Sequence, residues 1–285
     1  MDITEKPIVV GTDGSDLAAV AVRWAVRDAA RRGLPVRIVH VVDRRPYGTP
    51  AAGKVDPRAY AGERMLDHAA RTAGECAPDV AVATVLAEGA PGEVLSEEAA
   101  AAAELVVGCR GRDGCAGALL GSVPVRTAGH APGAVVVVRP EPAGSCREVV
   151  VGADGSAGCE PALAFAFEQA RARGCPLRAV HAWREPQDLM AGPVRGAGPA
   201  ADESARARCR PVAERIAAWR ERFPDVEVRE DLRHADPVPA LVDASGGAEL
   251  LVVGARGLSA VGSLLLGSVS RGVLHHAHCP VAVVR

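Results

Sequence analysis

The feature that most limits what this chain can fold into is that it is written twice. GCRGRDGCAGALLGSV at residues 108–123 is answered by GARGLSAVGSLLLGSV at residues 254–269, and both follow G-x-x-G, nine residues, then G-S. The likeness runs beyond the glycines. KPIVVGTDGS (6–15) pairs with EVVVGADGS (148–156), LPVRIVHVV (34–42) with CPLRAVHAW (175–183), and AVVVVR (134–139) with VAVVR (281–285). A repeat of this length, covering nearly all of 285 residues, describes two domains rather than one. RPEPAGSCR at 139–147, with two prolines and a glycine, reads as the linker, so the expected division is 1–142 and 143–285.

Within each copy, short β-branched runs alternate with longer alanine- and arginine-rich stretches, the pattern of strands and helices taking turns. The first copy reads as strand 7–11, helix 16–32, strand 36–42, helix 58–76, strand 80–87, helix 91–102, strand 104–108, helix 121–130 and strand 134–139. Runs such as IVV, LVV and AVVVV lack polar alternation, which suits parallel strands covered on both faces. The expected fold class is α/β, with two tandem doubly wound domains, each a five-stranded parallel sheet flanked by helices. Aromatic residues make up only 3% of the chain, so alanine and valine must fill most of the core. Leu17, Val20, Ala21, Trp24, Ala25 and Asp28 recur at helical spacing and form the inward face of the first helix. Two Pro-, Gly- and Ala-rich segments, 43–62 and 184–204, come after the second strand of each copy. They are either covers for a site at the strand ends or linkers to the next helix.

A formal net charge of −2 gives no long-range attraction for DNA, RNA or an acidic membrane. No apolar run approaches the roughly 20 residues that span a bilayer, and MDITEKPIVVGTDGS has no secretory pattern, so a cytoplasmic protein is expected. The eight cysteines form no C-x-x-C and no finger-like spacing, so free thiols are the default. Cys109 and Cys115, beside the first glycine pattern, are oxidisable if exposed.

Ligands of doubly wound sheets bind beyond the C-terminal strand ends, where strand order reverses. Gly108 and Gly254 each end a strand at such a place, and the turns beyond them can bring backbone N–H groups close to an anion. Gly121-Ser122 and Gly267-Ser268 then open a helix, where the serines either hold phosphate or act as N-caps. The pattern is no Walker loop, because Lys6 and Lys54 are the only lysines, and no Rossmann fingerprint succeeds the first strand of either copy. The first strands instead run into Gly11-Thr12-Asp13-Gly14-Ser15 and Gly152-Ala153-Asp154-Gly155-Ser156. Each aspartate is either a hydrogen-bond acceptor for a ribose or base, or the side chain of an Asx turn or helix cap.

These three ordered features, D-G-S after the first strand, G-x-x-G-x(9)-G-S before the last helix, and HHAHCPVAVVR into the last strand, resemble the universal stress protein family, met twice in tandem. The resemblance implies the adenine nucleotide alpha-hydrolase-like fold and a bound ATP, ADP or AMP, with Mg²⁺ arriving on the phosphates. Carried over by position, Asp13 and the backbone of Val41 meet the adenosine end of the first site, and Gly11 and Thr12 belong to the same site. Gly108, Arg110, Gly111, Gly121, Ser122 and Val123 surround its ribose and phosphates. The second site comprises Gly152, Ala153, Asp154, Ala182, Val253, Gly254, Arg256, Gly257, Gly267, Ser268, Val269 and Ser270. The resemblance also implies pairing of the last strands into an intramolecular pseudo-dimer, with a homodimer and a downstream protein as further partners.

The copies differ. The first has Pro124 where the second has Ser270, losing a hydroxyl and a backbone donor, so the second site is expected to bind at least as tightly. His275, His276, His278 and Cys279 fall on different helix faces and read as a structural helix end, so no protein-bound metal is assigned. No nucleophile–base order accompanies Asp13 or Asp154, which favours a non-enzymatic nucleotide-binding regulatory module. The alternatives are a weak ATPase or nucleotidyl-transfer enzyme, and a scaffold with a decayed first site.

Overall fold

A computed structural model describes residues 6–43, 56–111, 120–140, 148–184, 199–257 and 266–285, with the backbone alone for 199–208. Most of segments 43–62 and 184–204, the linker after Pro140, Cys115 and Cys146 lie outside the described residues. So do the loop residues between Gly111 and Leu120 and between Gly257 and Leu266. The chain forms two compact units, one built on residues 6–140 and one on residues from 148 onward.

The first unit runs β1 (Ile8–Gly11), α1 (Asp16–Arg32), β2 (Val36–Val42), α2 (Pro57–Cys76), β3 (Val82–Glu88), α3 (Pro91–Glu98), β4 (Glu104–Gly108), α4 (Ser122–His130) and β5 (Ala134–Val138). The second runs β6 (Val149–Gly152), α5 (Glu160–Arg173), β7 (Leu177–Trp183), α6 (Pro199–Arg222), β8 (Val228–His234), α7 (Pro237–Ser245), β9 (Leu250–Gly254), α8 (Ser268–His276) and β10 (Val281–Val284). Strand order is β3-β2-β1-β4-β5 in one unit and β8-β7-β6-β9-β10 in the other, parallel throughout. Registers match as well: Ile8 stands opposite Val36 and Glu104, and Val149 opposite Leu177 and Leu250. Order reverses between β1 and β4, and between β6 and β9, so each unit has its crevice beyond those strand ends.

The expected elements need small corrections. The third strand begins at Val82 and ends at Glu88, not 80–87. The helix expected over 91–102 ends at Glu98 and tightens to a 3₁₀ turn over Ala99–Ala101. Alanine supplies no stop signal there. The chain leaves the helix because Ala103 N–H donates to Pro7 O at 2.9 Å and begins the pairing that sets β4 beside β1.

β1, β5 and β10 are buried throughout and β4 up to its last residue, as both-face coverage requires, whereas the outer strands β3 and β8 carry half-exposed and exposed positions. Asp28 on the inner face of α1 is fully buried. Arg32 Nη1 donates to its Oδ2 at 3.1 Å and to Oε2 of the buried Glu104 at 2.9 Å, tying α1 to the start of β4. In the second unit Leu250 stands opposite Val149 where Glu104 stands opposite Ile8, and the tie moves one residue back: buried Arg173 at the end of α5 pairs with Glu249 at 3.3 Å, just before β9. The second unit concentrates aromatic packing instead. Phe167 of α5 lies 5.8 Å from Trp219 of α6 and 5.4 Å from Phe223 just past its end, ring centre to ring centre, and Trp219 Nε1 donates to Glu160.

Candidate functional site

Each site starts with the turn that leaves the first strand. Asp13 Oδ1 accepts from Ser15 N at 3.0 Å, and Asp154 Oδ1 accepts from Ser156 N at 2.9 Å, so both aspartates form Asx turns. Gly14 and Gly155, at φ 76° and 75°, supply the left-handed step that lets the chain swing into its helix. Here the units diverge. Ser15 Oγ accepts from Ala18 N and caps α1, whereas Ser156 Oγ donates to Asp154 at 2.7 Å. With its hydroxyl engaged by the carboxylate, Ser156 makes no side-chain cap; a 3₁₀ turn comes next, and α5 starts only at Glu160.

The Asx turn uses one carboxylate oxygen; the other meets the glycine loop. A Cβ added at Gly111 would lie 2.4 Å from Asp13 Oδ2, and one added at Gly257 would lie 2.6 Å from Asp154 Oδ2. Nothing larger than glycine fits at either place while the carboxylate stays where it is. Across each loop, Gly121 N donates to Cys109 O at 2.8 Å and Gly267 N to Ala255 O at 2.9 Å, so the base of the nine-residue excursion is closed identically in both units. Gly121 and Gly267 themselves stand at the N-cap of α4 and α8, with no side-chain cap bond. Ser122 and Ser268 are therefore not N-caps. They are exposed first residues of their helices, with hydroxyls on the rim where the first-turn N–H groups lack helical partners.

In the first unit these parts surround a cleft of about 870 Å³. Its walls include all ten positions singled out from sequence: Gly11, Thr12, Asp13, Val41, Gly108, Arg110, Gly111, Gly121, Ser122 and Val123. A volume of this size suits a drug- or cofactor-sized molecule. In the second unit Gly152, Asp154, Gly254, Arg256, Gly257, Gly267 and Ser268 occupy the corresponding places, with Ala182 near the end of β7 and Val269 in the first turn of α8. Ala153 and Val253 are buried in the core, so only their backbones can face a ligand. Ser270 is 2% exposed, and its hydroxyl donates to Ala255 O at 3.0 Å. That hydroxyl, expected from sequence to serve the ligand, instead ties the start of α8 to the end of β9. Burial, with the like charge of Arg256 as a lesser cause, pushes the Arg285 guanidinium down.

Two positions went unnoticed in the sequence. His40 Nδ1 lies 2.8 Å from Thr12 O, and His181 Nδ1 lies 2.8 Å from Ala153 O. A carbonyl only accepts, so Nδ1 carries the proton, and each imidazole holds the residue just before the site aspartate. The signal was present as a histidine at the same place in the apolar ends of two strands, VHVV and VHAW. Arg126, also on the first cleft wall, had no such signal, because its counterpart is Gly272. Cys109 is buried, which removes the exposure that oxidation would need, and the six cysteines among the described residues are free thiols. Among the described residues no group of three or more His, Cys, Asp or Glu is placed to hold a metal.

A model of the universal stress protein family matches residues 5–139 and again 146–285. The chain belongs to the universal stress protein family. Universal stress proteins of similar length match it end to end. One from Mycolicibacterium smegmatis is 32% identical over 292 residues, covering 99% of this chain and 98% of the relative. One from Mycobacterium tuberculosis is 36% identical over 292 residues, covering 98% and 96%. A solved universal stress protein from Archaeoglobus fulgidus shares the fold with a TM-score of 0.72 at 18% identity, over 98% of this chain and 96% of that one. The α/β class, the parallel sheets and the tandem pair of universal stress protein domains are thereby fixed. Among the described residues no helix is long and apolar enough to cross a membrane.

Proposed function

We propose that this universal stress protein binds an adenine nucleotide in each of its two units and acts as a regulatory module rather than a catalyst. The observation that carries the reading is the contact between Asp13 and Gly111, repeated between Asp154 and Gly257, which leaves no room for a Cβ. It brings a carboxylate acceptor, a glycine turn rich in N–H groups and the start of α4 or α8 to one crevice at the strand-order reversal. The carboxylate suits a ribose or base donor, and the turn, the helix start and Arg110 or Arg256 suit phosphates. Asp13, Val41 and Ala182 serve the adenosine ends under this reading, and Mg²⁺ enters with the phosphates of ATP.

Both site aspartates are already held in Asx turns, and no serine–histidine or cysteine–histidine pairing stands beside them among the described residues, so a binding role is favoured over hydrolysis. The same reading has the last strands pair the units as a pseudo-dimer, with a cytoplasmic partner protein sensing occupancy. The test is direct. Acid-denatured protein, purified without added nucleotide, is chromatographed for released adenine nucleotide, and ATP is then titrated into the wild type, Gly111→Val and Gly257→Val. Two binding events are expected in the wild type and one in each variant. No nucleotide released and no heat on titration refutes the reading, and steady phosphate release that Asp154→Ala abolishes refutes its non-enzymatic part.

A further inference from the structure

The two units exchange side-chain bulk at one contact between neighbouring helices, and the exchange places an arginine at that contact in the first unit alone. In the first unit Gly92, near the start of α3, lies under the stem of Arg126 of α4; a Cβ at Gly92 would come within 2.6 Å of Arg126 Cδ. In the second unit the corresponding contact is reversed, with Val238 on α7 and Gly272 on α8. A Cβ at Gly272 would lie 2.8 Å from both Val238 methyls. Pro239 stands where the first unit has Glu93. The second unit therefore neither carries an arginine here nor has space for one.

Arg126 is four residues beyond Ser122, hence on the same face of α4 and one turn, about 5.4 Å, farther from the loop. It shares the cleft wall with Ser122 and Gly121. Its Nη2 donates to Glu93 Oε1 at 2.8 Å, and the two side chains are 50% and 53% exposed. An ion pair so open to water contributes little, so the guanidinium can leave the carboxylate for a phosphate oxygen, where its planar fork makes two charge-assisted bonds. Accepting the nucleotide reading above, we infer that Arg126 binds the terminal phosphates in the first cleft, so that this unit discriminates adenine nucleotides by phosphate number while the second does not. Glu93 holds the arginine off the site and competes with the incoming phosphate.

The test uses the full chain with Gly257→Val closing the second site, and calorimetric titration of ATP and of AMP. Arg126→Gln is expected to weaken ATP at least about tenfold and AMP less than about twofold, since a monophosphate ends short of the arginine. Glu93→Gln is expected to strengthen ATP about threefold, because the competitor is gone. If the pair merely ties α3 to α4, both substitutions move ATP affinity the same way, and that result overturns the inference. Equal loss of ATP and AMP affinity in Arg126→Gln also overturns it. A parent chain that binds neither nucleotide defeats the site reading itself, and it does so before any substitution at Arg126 is made.

Discussion

The close approach of Gly111 to Asp13 gives a prediction whose size can be worked from the structure. A Cβ at residue 111 lies about 1 Å inside ordinary contact with Asp13 Oδ2, and among the described residues the atoms within 4 Å of that Cβ, its own chain neighbours aside, all belong to Asp13. Relief in Gly111→Ala must come from moving the carboxylate or the loop. Moving the carboxylate by that much breaks its bond from Ser15 N, worth about 0.5–1.5 kcal/mol, and displaces χ1 or χ2 from its well at about 0.5–1.5 kcal/mol more. Gly111→Ala alone should therefore cost about 1–3 kcal/mol. Asp13→Ala removes the obstruction, so adding Gly111→Ala to it should cost almost nothing further.

The assay is a double-mutant cycle on the full chain, read by amide exchange of the peptides that carry β1 and β4 at rising urea, which reports the first unit by itself. A coupling of at least about 1 kcal/mol is expected. Additivity within about 0.5 kcal/mol means the carboxylate does not occupy the place of the missing side chain, and it refutes the argument that these glycines are fixed by the aspartates. The same cycle at Gly257 and Asp154 should give the same sign, because the distance there is 2.6 Å against 2.4 Å.

Packing and charge set three further outcomes. Phe167→Ala, which empties the centre of the ring cluster with Trp219 and Phe223, should destabilise the second unit by about 3–5 kcal/mol and leave exchange in β1 unchanged. Asp231 is held below the ordinary carboxylate range by hydrogen bonds from Arg233, and from Arg178 against the opposing effect of burial. Its contribution is thus present above about pH 4 and lost as pH falls through its lowered folded value, so Asp231→Asn should lower the second unit's stability at pH 7, change it little at acid pH where Asp231 is already protonated, and thereby flatten the acid limb of the stability curve. Cys109, Cys159 and Cys279 are buried, and burial pushes the Cys159 thiol up; iodoacetamide mapping of native protein should find all three unlabelled, and labelling without denaturant counts against the packing.

The layered architecture was legible because unbroken valine runs admit few placements: covered on both faces, they dictate parallel strands with helices on either side. The crevice was legible for a related reason, since glycines at strand ends and before a helix are costly unless backbone must come close to something. Boundaries were less so where alanine fills the chain, as over residues 91–102, because alanine favours helix without saying where it stops. The choice left open for Ser122 and Ser268, phosphate contact or N-cap, was not decidable from sequence for a similar reason. Gly121 and Gly267 hold the extended cap conformation, and a serine one step later looks the same in sequence as a serine at the cap. His40 and His181 went unseen because their bonds reach a carbonyl 28 residues earlier in the chain, which no local pattern announces.

The relation between the two copies changes most. From sequence, Ser270 against Pro124 made the second site the richer in donors, but the Ser270 hydroxyl is buried and bonded to Ala255 O. Proline at the third helical position of α4 removes an N–H that has no helical partner in any case, so its cost to the fold is small. Pro124, Glu93 and Arg126 all line the first cleft and all differ from their counterparts, and of the three only Arg126 brings a positive charge, which under the inference above favours the first unit. Arg126 stands where no motif points, in a paired difference: glycine and arginine meet in one unit where valine and glycine meet in the other. Such a swap conserves the packing between neighbouring helices while altering the charge beside the site. Two halves can therefore keep one fold and one glycine pattern and still diverge in what they bind, provided the divergence is carried by residues whose volume is exchanged across the same contact.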